Sequence, residues 1–443
     1  MKTLLCSLFC LFVTEFSKKN LVNTMATKRT VNLSDKILCD IYDASVPATW
    51  LMRIFGLNYI SRENYQLKVV KSWSLLKTLV TPLILGVISG FLLYYKLWKR
   101  QKKSMDLLLF IIDPTHFFLS FVLYLTDLYY VHKFGGEAFL DYLRVFRRFD
   151  DIVGIRYYYT DIKRKKIIYT VVLIVSWTVS RSIDFIAWNL SFGGLVPLLY
   201  CINYIMGLIK ALNVLNFISN VVQIEYRLKA LAGLLEQTAC INNKCLAACH
   251  HHQNRRIIHK PQIAFVDSQR LDTLKTLCSD RYEEFTWLSK CYLILIEQTS
   301  RVNEMFGFRW DRYFFPNTDI ITEMSDQLKL ILQGTLYNTG ILPVISSLLR
   351  FLNIVALIFS LVYRCEQCYR QNERIIGIID HLLVNGNDDV LMKKSLKEFR
   401  GLVQSRPILF SAANFFRIEY PILVSIASVC VTYTILIGQN LKE

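Results

Sequence analysis

Apolar runs of bilayer length punctuate this chain and constrain it more than any other feature. Thr78–Tyr95 carries no charge and is flanked by Lys77 and Lys96; Tyr420–Leu441 carries none either. An α-helix rises about 1.5 Å per residue and the hydrocarbon core is about 30 Å thick, so about 20 apolar residues cross it. Further runs read as spans once a few internal charges are allowed. Leu107–Val131 contains Asp113 and Asp127, Ile167–Leu190 contains Arg181 and Asp184, Leu195–Val222 contains Lys210, and Leu330–Tyr363 contains Arg350. With 53% hydrophobic and 20% charged residues, a wholly soluble chain of 443 residues is excluded.

Loop charge sets the orientation of such spans. The loop from Lys133 to Lys166 holds nine Lys/Arg, and so does the loop from Arg364 to Glu419, whereas residues 191–194 hold none. The N-terminus is therefore expected in the cytoplasm and the C-terminus outside. Lys96, Lys99, Arg100, Lys102 and Lys103 oppose this and are outvoted. The formal net charge of +17 belongs to those loops, so no nucleic-acid partner is expected. Near the N-terminus, Lys2, the apolar run Leu4–Val13, Lys18 and Lys19 have the outline of a weak signal peptide without a cleavage site. Met25 is an alternative start.

No catalytic pattern is present: there is no GxGxxG, P-loop, HExxH or GxSxG. Cys240, Cys245, Cys249, His250, His251, His252 and His259 lack the paired spacing of a zinc site and read as a solvated loop. Cys365 and Cys368 form CxxC just past a span, without the βαβ context of a redox motif, and read as ordinary thiols, with acylation at the membrane face as the minor alternative. Asn189-Leu190-Ser191 is a glycosylation sequon too close to the bilayer for use. The chain reads as a non-enzyme with no cofactor, no metal and no disulfide.

Ionisable residues inside a membrane are costly and point to function. Arg181 and Asp184 are three apart and share a helix face, as do Asp113 and His116. Phe185, Trp188, Tyr200, Asn203 and Tyr337 fall at the same depth, toward the outside. If these faces converge, aromatic walls and a few polar groups form a small-molecule site. The bland alternative is that Arg181 pairs with Asp184 or Asp113 only to neutralise buried charge. Asp127 and Lys210 fit better near the inner interface, where Lys snorkels.

The last span carries Thr432-Tyr433, five mostly apolar residues, then Gln439 and Asn440. This resembles the signature that closes the last helix of insect gustatory receptors. Phe399, Gln404 and Phe410–Ile418 resemble the segment leading into that helix, and Glu366, Ile375, Ile376, Ile379 and Leu382 the helix before it. Trp50–Leu57 is similar, more loosely, to the stretch that precedes the family's first span. Asn303 and Phe306-Gly307 resemble the start of a fifth span, Val302–Ile321, which is too polar for hydropathy to select. Gly438 and Asn440 depart from the pattern, which usually has a large apolar residue and Phe there.

The resemblance implies an all-α fold of seven transmembrane helices, assembled as a homo- or hetero-tetramer around one pore in the plasma membrane of chemosensory neurons. It divides the chain into a cytoplasmic segment (residues 1–71, with 1–24 upstream of the alternative start) and spans one to four (72–222). Anchor helices (223–301), spans five and six (302–363), an anchor loop (364–419) and a pore helix (420–443) complete it. Gln439 and Ile435, with Asn440, would form the constriction, while Thr432 and Tyr433 would hold the helix against its neighbours. The partners implied are membrane lipid and a small-molecule tastant, bitter or aversive rather than sugar on family breadth. Two alternatives stay open: an odorant-receptor-like subunit with a co-receptor, and a G-protein-coupled receptor, which requires the opposite topology.

Overall fold

The computed structural model describes residues 51–57, 60–63, 66–69, parts of 80–94 and 118–132, 136–153, 159–192, 195–242, 281–314, 342–385, 390–412 and 416–440. Two strands, β1 (Ile60–Glu63) and β2 (Gln66–Val69), pair antiparallel with Ile60 opposite Val69. Then come helices α1 (Gly136–Val153), α2 (Tyr159–Phe192), α3 (Leu195–Asn242), α4 (Arg281–Phe314), α5 (Leu342–Asn385) and α6 (Val390–Ser405). A short hairpin, β3 (Ser411–Ala412) with β4 (Phe416–Arg417), leads into α7 (Tyr420–Asn440).

The segment before the first span shows how local chemistry shapes the chain. Residues 51–54 are helical and stop at Gly56, whose φ of 71° suits a residue without a Cβ. The Leu57 N–H donates to the Met52 carbonyl at 2.8 Å and the Gly56 N–H to the Arg53 carbonyl at 3.2 Å. These two bonds satisfy carbonyls that the ended helix leaves open, and Met52 and Leu57 bury together, as the Schellman motif requires. The Tyr124 hydroxyl then donates to the Phe55 carbonyl at 2.8 Å, which fixes the segment against the helical residues 118–129.

α2, α3 and α5 form the centre of the molecule and pack on one another. α3 is buried on nearly every face from Ala211 to Leu228, the behaviour of a helix apolar all round. α2 instead shows an apolar stripe to the outside at Ile168, Val171, Val172, Val175 and Val179. Among the described residues, three helical stretches, Tyr159–Ala187, Tyr204–Gln237 and Val344–Val384, are long and apolar enough to cross a membrane; Tyr420–Thr432 is a shorter apolar one. Large exposed apolar faces on helices of this length mark a membrane protein.

The main core lies toward one end of these long helices. There α1, the second half of α3, α4, the second half of α5, α6 and the β3–β4 hairpin bury Phe146, Phe217, Phe285, Tyr292, Tyr369, Phe399 and Phe410 together. α5 has 44 residues, about 66 Å at 1.5 Å each, more than twice a bilayer core. The sixth span therefore runs on into this core without a break, from Tyr363 to Asn385. α4 begins at Arg281, well before the expected fifth span, and Val302 and Phe306 are buried in this same core. Up to Phe306 the helix thus packs on protein through an apolar stripe, and the side chains of residues 307–314 lie outside the described ones. Residues 315–341, including the rest of that span and the start of the sixth, lie outside the described residues.

Candidate functional site

Among the described residues, three tiers of polar contacts tie the central helices together. The first joins α2, α3 and α5 near the start of α5. Asp184 is buried, and the Ser346 hydroxyl donates to its Oδ1 at 2.9 Å. Arg350 Nη2 lies 3.4 Å from the same oxygen and 3.2 Å from Ser347 Oγ. The Tyr204 hydroxyl donates to Oδ2 of Asp184. One carboxylate thus accepts from two helices, which answers the cost of burying it. Asn353 Nδ2 adds a bond to the Ser176 carbonyl at 3.3 Å.

Arg181 does something other than pair with Asp184. Its guanidinium lies over Trp177, 4.3 Å from the ring centre, and over Tyr204 at 4.9 Å. A planar guanidinium is attracted by an aromatic face. Gly207 makes the stack possible: a Cβ there would stand 2.9 Å from Cη2 and Cζ2 of Trp177. The Asp184 carboxylate is thus shared with α3 and α5 while Arg181 stacks on two rings, and the alternative pairing of Arg181 with Asp113 involves a residue outside the described ones.

The second tier lies toward the main core. Glu225 accepts from Lys229 Nζ at 2.5 Å and from Arg364 Nη1 at 3.1 Å, and Arg364 also reaches the Tyr169 hydroxyl. The third is buried: Arg227 donates to Asp150 from Nε at 2.9 Å and from Nη2 at 2.5 Å. Its guanidinium lies 3.6 Å from the Phe146 ring centre, and the Tyr159 hydroxyl donates to Asp150. Bidentate geometry with a satisfied carboxylate is what makes such a pair tolerable inside a protein. Elsewhere, Asn213 donates to Asp127 at 2.6 Å and Lys210 to Ser120 at 3.0 Å, both from α3 to the helical residues 118–129.

The segment that enters α7 is held by side chains of α4 and α5. Asn303 Nδ2 donates to the Leu409 carbonyl at 2.8 Å, and its Oδ1 accepts from the Ser411 N–H at 3.3 Å, as a neighbouring strand would. The Tyr369 hydroxyl accepts from the Phe410 N–H at 3.1 Å and donates to the Ile418 carbonyl at 3.0 Å. The Tyr292 hydroxyl reaches Asn372 Oδ1 at 2.6 Å and the Arg406 carbonyl at 3.1 Å. Sequence reasoning placed Asn303 near a span but missed this role, and it missed Tyr204, Gly207 and Ser346 altogether.

Of the residues singled out in the sequence, Arg181, Asp184 and the half-buried Phe185 lie on α2. Trp188 is on α2, Tyr200 and Asn203 on α3, and Tyr433, Gln439 and Asn440 on α7, all as helical positions. Asp113, His116 and Tyr337 lie outside the described residues, as do residues 1–50. On α7, Thr432 donates to the Ser428 carbonyl at 2.9 Å, so its hydroxyl is used within its own helix. Ile435 is 55% exposed. Cys365 and Cys368 are fully buried free thiols, which removes the acylation role: they face the core, and Cys368 contacts the Val221 carbonyl at 3.7 Å.

Residues 321–439 match the family model described as 7tm chemosensory receptor. Over that stretch the chain resembles chemosensory receptors. That stretch takes in α5, α6, the hairpin and nearly all of α7, where the Thr432–Gln439 signature lies. No curated protein matches the chain. Among solved structures, the insect olfactory receptor OR5 from Machilis hrabei, solved in complex with eugenol, is 11% identical with a TM-score of 0.49, over 91% of this chain and 97% of that one. The family match is to membrane receptors rather than to enzymes, in keeping with the long apolar helices of this chemoreceptor-like chain.

Proposed function

We propose that the chain is a gustatory-type receptor subunit, a ligand-gated non-selective cation channel for a small-molecule tastant. One observation carries this: the 7tm chemosensory receptor match at residues 321–439 ends on the Thr432-Tyr433…Gln439 signature, within an apolar helix that keeps large side chains uncovered. In this reading seven helices cross the plasma membrane of a chemosensory neuron, with the N-terminus inside and the C-terminus outside. Four subunits, identical or mixed, surround the pore. α7 lines it, Gln439 and Asn440 form a polar ring, and Ile435 one turn below supplies a dewetted barrier. The anchor comprises residues 223–301 and 364–419.

The ligand region is the tier around Asp184, with Arg181, Phe185 and Trp188 from α2, Tyr200 and Asn203 from α3, Tyr337, and Asp113 and His116 from span two. A bitter or aversive compound is favoured over a sugar on family breadth, and Phe185, Trp188 and Tyr200 would offer it aromatic surface. The ligand opens the pore only through tighter binding to the open state.

Whole-cell recording from cells expressing the chain tests this directly. A tastant panel evokes a cation current that persists when G proteins are blocked, and Gln439→Ala alters its permeability or rectification. A response abolished by G-protein block sinks the reading. Accessibility of epitope tags at the two ends, cytoplasmic N and external C, separates the proposed topology from that of a G-protein-coupled receptor.

A further inference from the structure

The first turns of α2 carry four consecutive basic residues, of which Lys163, Arg164 and Lys165 reach the surface and Lys166 is buried. Lys163 and Arg164 are exposed, and among the described residues neither has an ion pair or hydrogen bond. Lys165 is half-buried, with Nζ 4.8 Å from the centre of the Tyr226 ring on α3. Lys229 lies 5.6 Å from the same ring but is taken by Glu225. Asp161 sits three and four residues before Arg164 and Lys165, a spacing that permits pairing, yet it pairs with neither. Several other arginines on the helix surfaces are paired instead: Arg144 with Asp141, Arg301 with Glu297, Arg374 with Glu236 and Arg400 with Asp380.

The next turns of α2 complete the pattern. The exposed apolar stripe of Ile168, Val171, Val172, Val175 and Val179 starts one turn after Arg164, and Arg164 and Ile168, four apart, share a face. Cations at one end of an uncovered apolar stripe, at the depth where the bilayer ends, complement an amphiphile with an anionic head. Basic clusters just cytoplasmic of a span attract acidic lipids for the same reason. Cations placed only to orient the chain would be indifferent to which headgroup they meet.

We propose that the start of α2 is a binding site for an anionic phospholipid of the cytoplasmic leaflet. Lys163, Arg164 and Lys165 hold the headgroup phosphates, and an acyl chain lies along Ile168–Val179. Tyr226 fixes Lys165 so that its ammonium stays at the surface. The site rests on the proposed orientation with the N-terminus inside, because only then do these residues meet the acidic leaflet.

Thermal denaturation of the purified full-length protein in detergent tests it with three probes. Dioctanoyl phosphatidylinositol bisphosphate is expected to raise Tm saturably, by about 3 °C at concentrations near a hundred times Kd. Dioctanoyl phosphatidylcholine leaves Tm unchanged. K163Q/R164Q/K165Q removes the shift, and the charge-preserving K163R/R164K/K165R keeps it. If the triple glutamine variant lacks a native transition, Arg164→Gln alone, at an exposed position, must cut the shift at least twofold. Equal shifts in wild type and glutamine variants, an equal shift with phosphatidylcholine, or no shift at all overturns the site. Inositol trisphosphate reproducing the whole shift overturns the lipid and assigns the cations to a soluble phosphate. No current is needed, so failure of the channel reading shows separately in the recordings.

Discussion

At the scale of single residues, Gly207 sets the spacing on which the Arg181 stack depends. Gly207→Ala pushes a methyl to 2.9 Å from the Trp177 indole, which must shift out of the space between α2 and α3. The expected loss is about 1–3 kcal/mol, the usual cost of overpacking, read as a lower Tm of the purified protein. Asp150→Asn is costlier. It leaves the buried Arg227 without its charge partner, for which about 3–5 kcal/mol is expected, again measured by thermal or denaturant unfolding. Cysteine chemistry offers a milder check. Burial pushes the Cys291 thiol up to about 12, so at pH 8 its reactive thiolate is scarce. Together with the buried Cys365 and Cys368 it should resist maleimide in the native protein and label on unfolding.

Among elements, the β3–β4 hairpin depends on borrowed hydrogen bonds. Its two strands have two residues each, too few to persist alone. Asn303 and Tyr369 supply what the hairpin lacks. Asn303→Ala removes the bonds to Leu409 and Ser411 and leaves a carbonyl and an N–H to find water. A cost of about 1–3 kcal/mol should appear as faster amide hydrogen exchange at residues 409–418, with the core helices unchanged. The sequence showed much of this level and missed a specific part. Charge-poor apolar runs located α2, α3, α5 and α7, because exclusion from water is written in consecutive residues. They drew attention to Asp184, since a carboxylate inside such a run is conspicuous. They did not show that Tyr204, Ser346 and Arg350 meet Asp184. Those partners arrive from helices 20 to 166 residues away along the chain, and their register is set by packing. The polarity of α4 is a related case: hydropathy registers contact with lipid, whereas Phe285, Tyr292, Val302 and Phe306 of this helix are buried against protein.

For the molecule as a whole, stability is unevenly distributed. The main core joins α1, α3, α4, α5, α6 and the hairpin, and among the described residues α7 packs on it through its first turns, by Tyr420, Ile422, Leu423 and Ile426. Val424, Val431 and Ile435 on the same helix are 70%, 58% and 55% exposed. Melting should therefore not be a single event. In dilute detergent α7 should lose hydrogen-exchange protection well before the core helices, and raising protein concentration or adding lipid should restore it by mass action. A chain built this way carries an exposed apolar helix as an unfinished surface, so what the helix is worth is decided by its company. An investigator who dilutes the sample changes the object under study: the same polypeptide is one material when crowded in a membrane and a looser one when alone in a micelle.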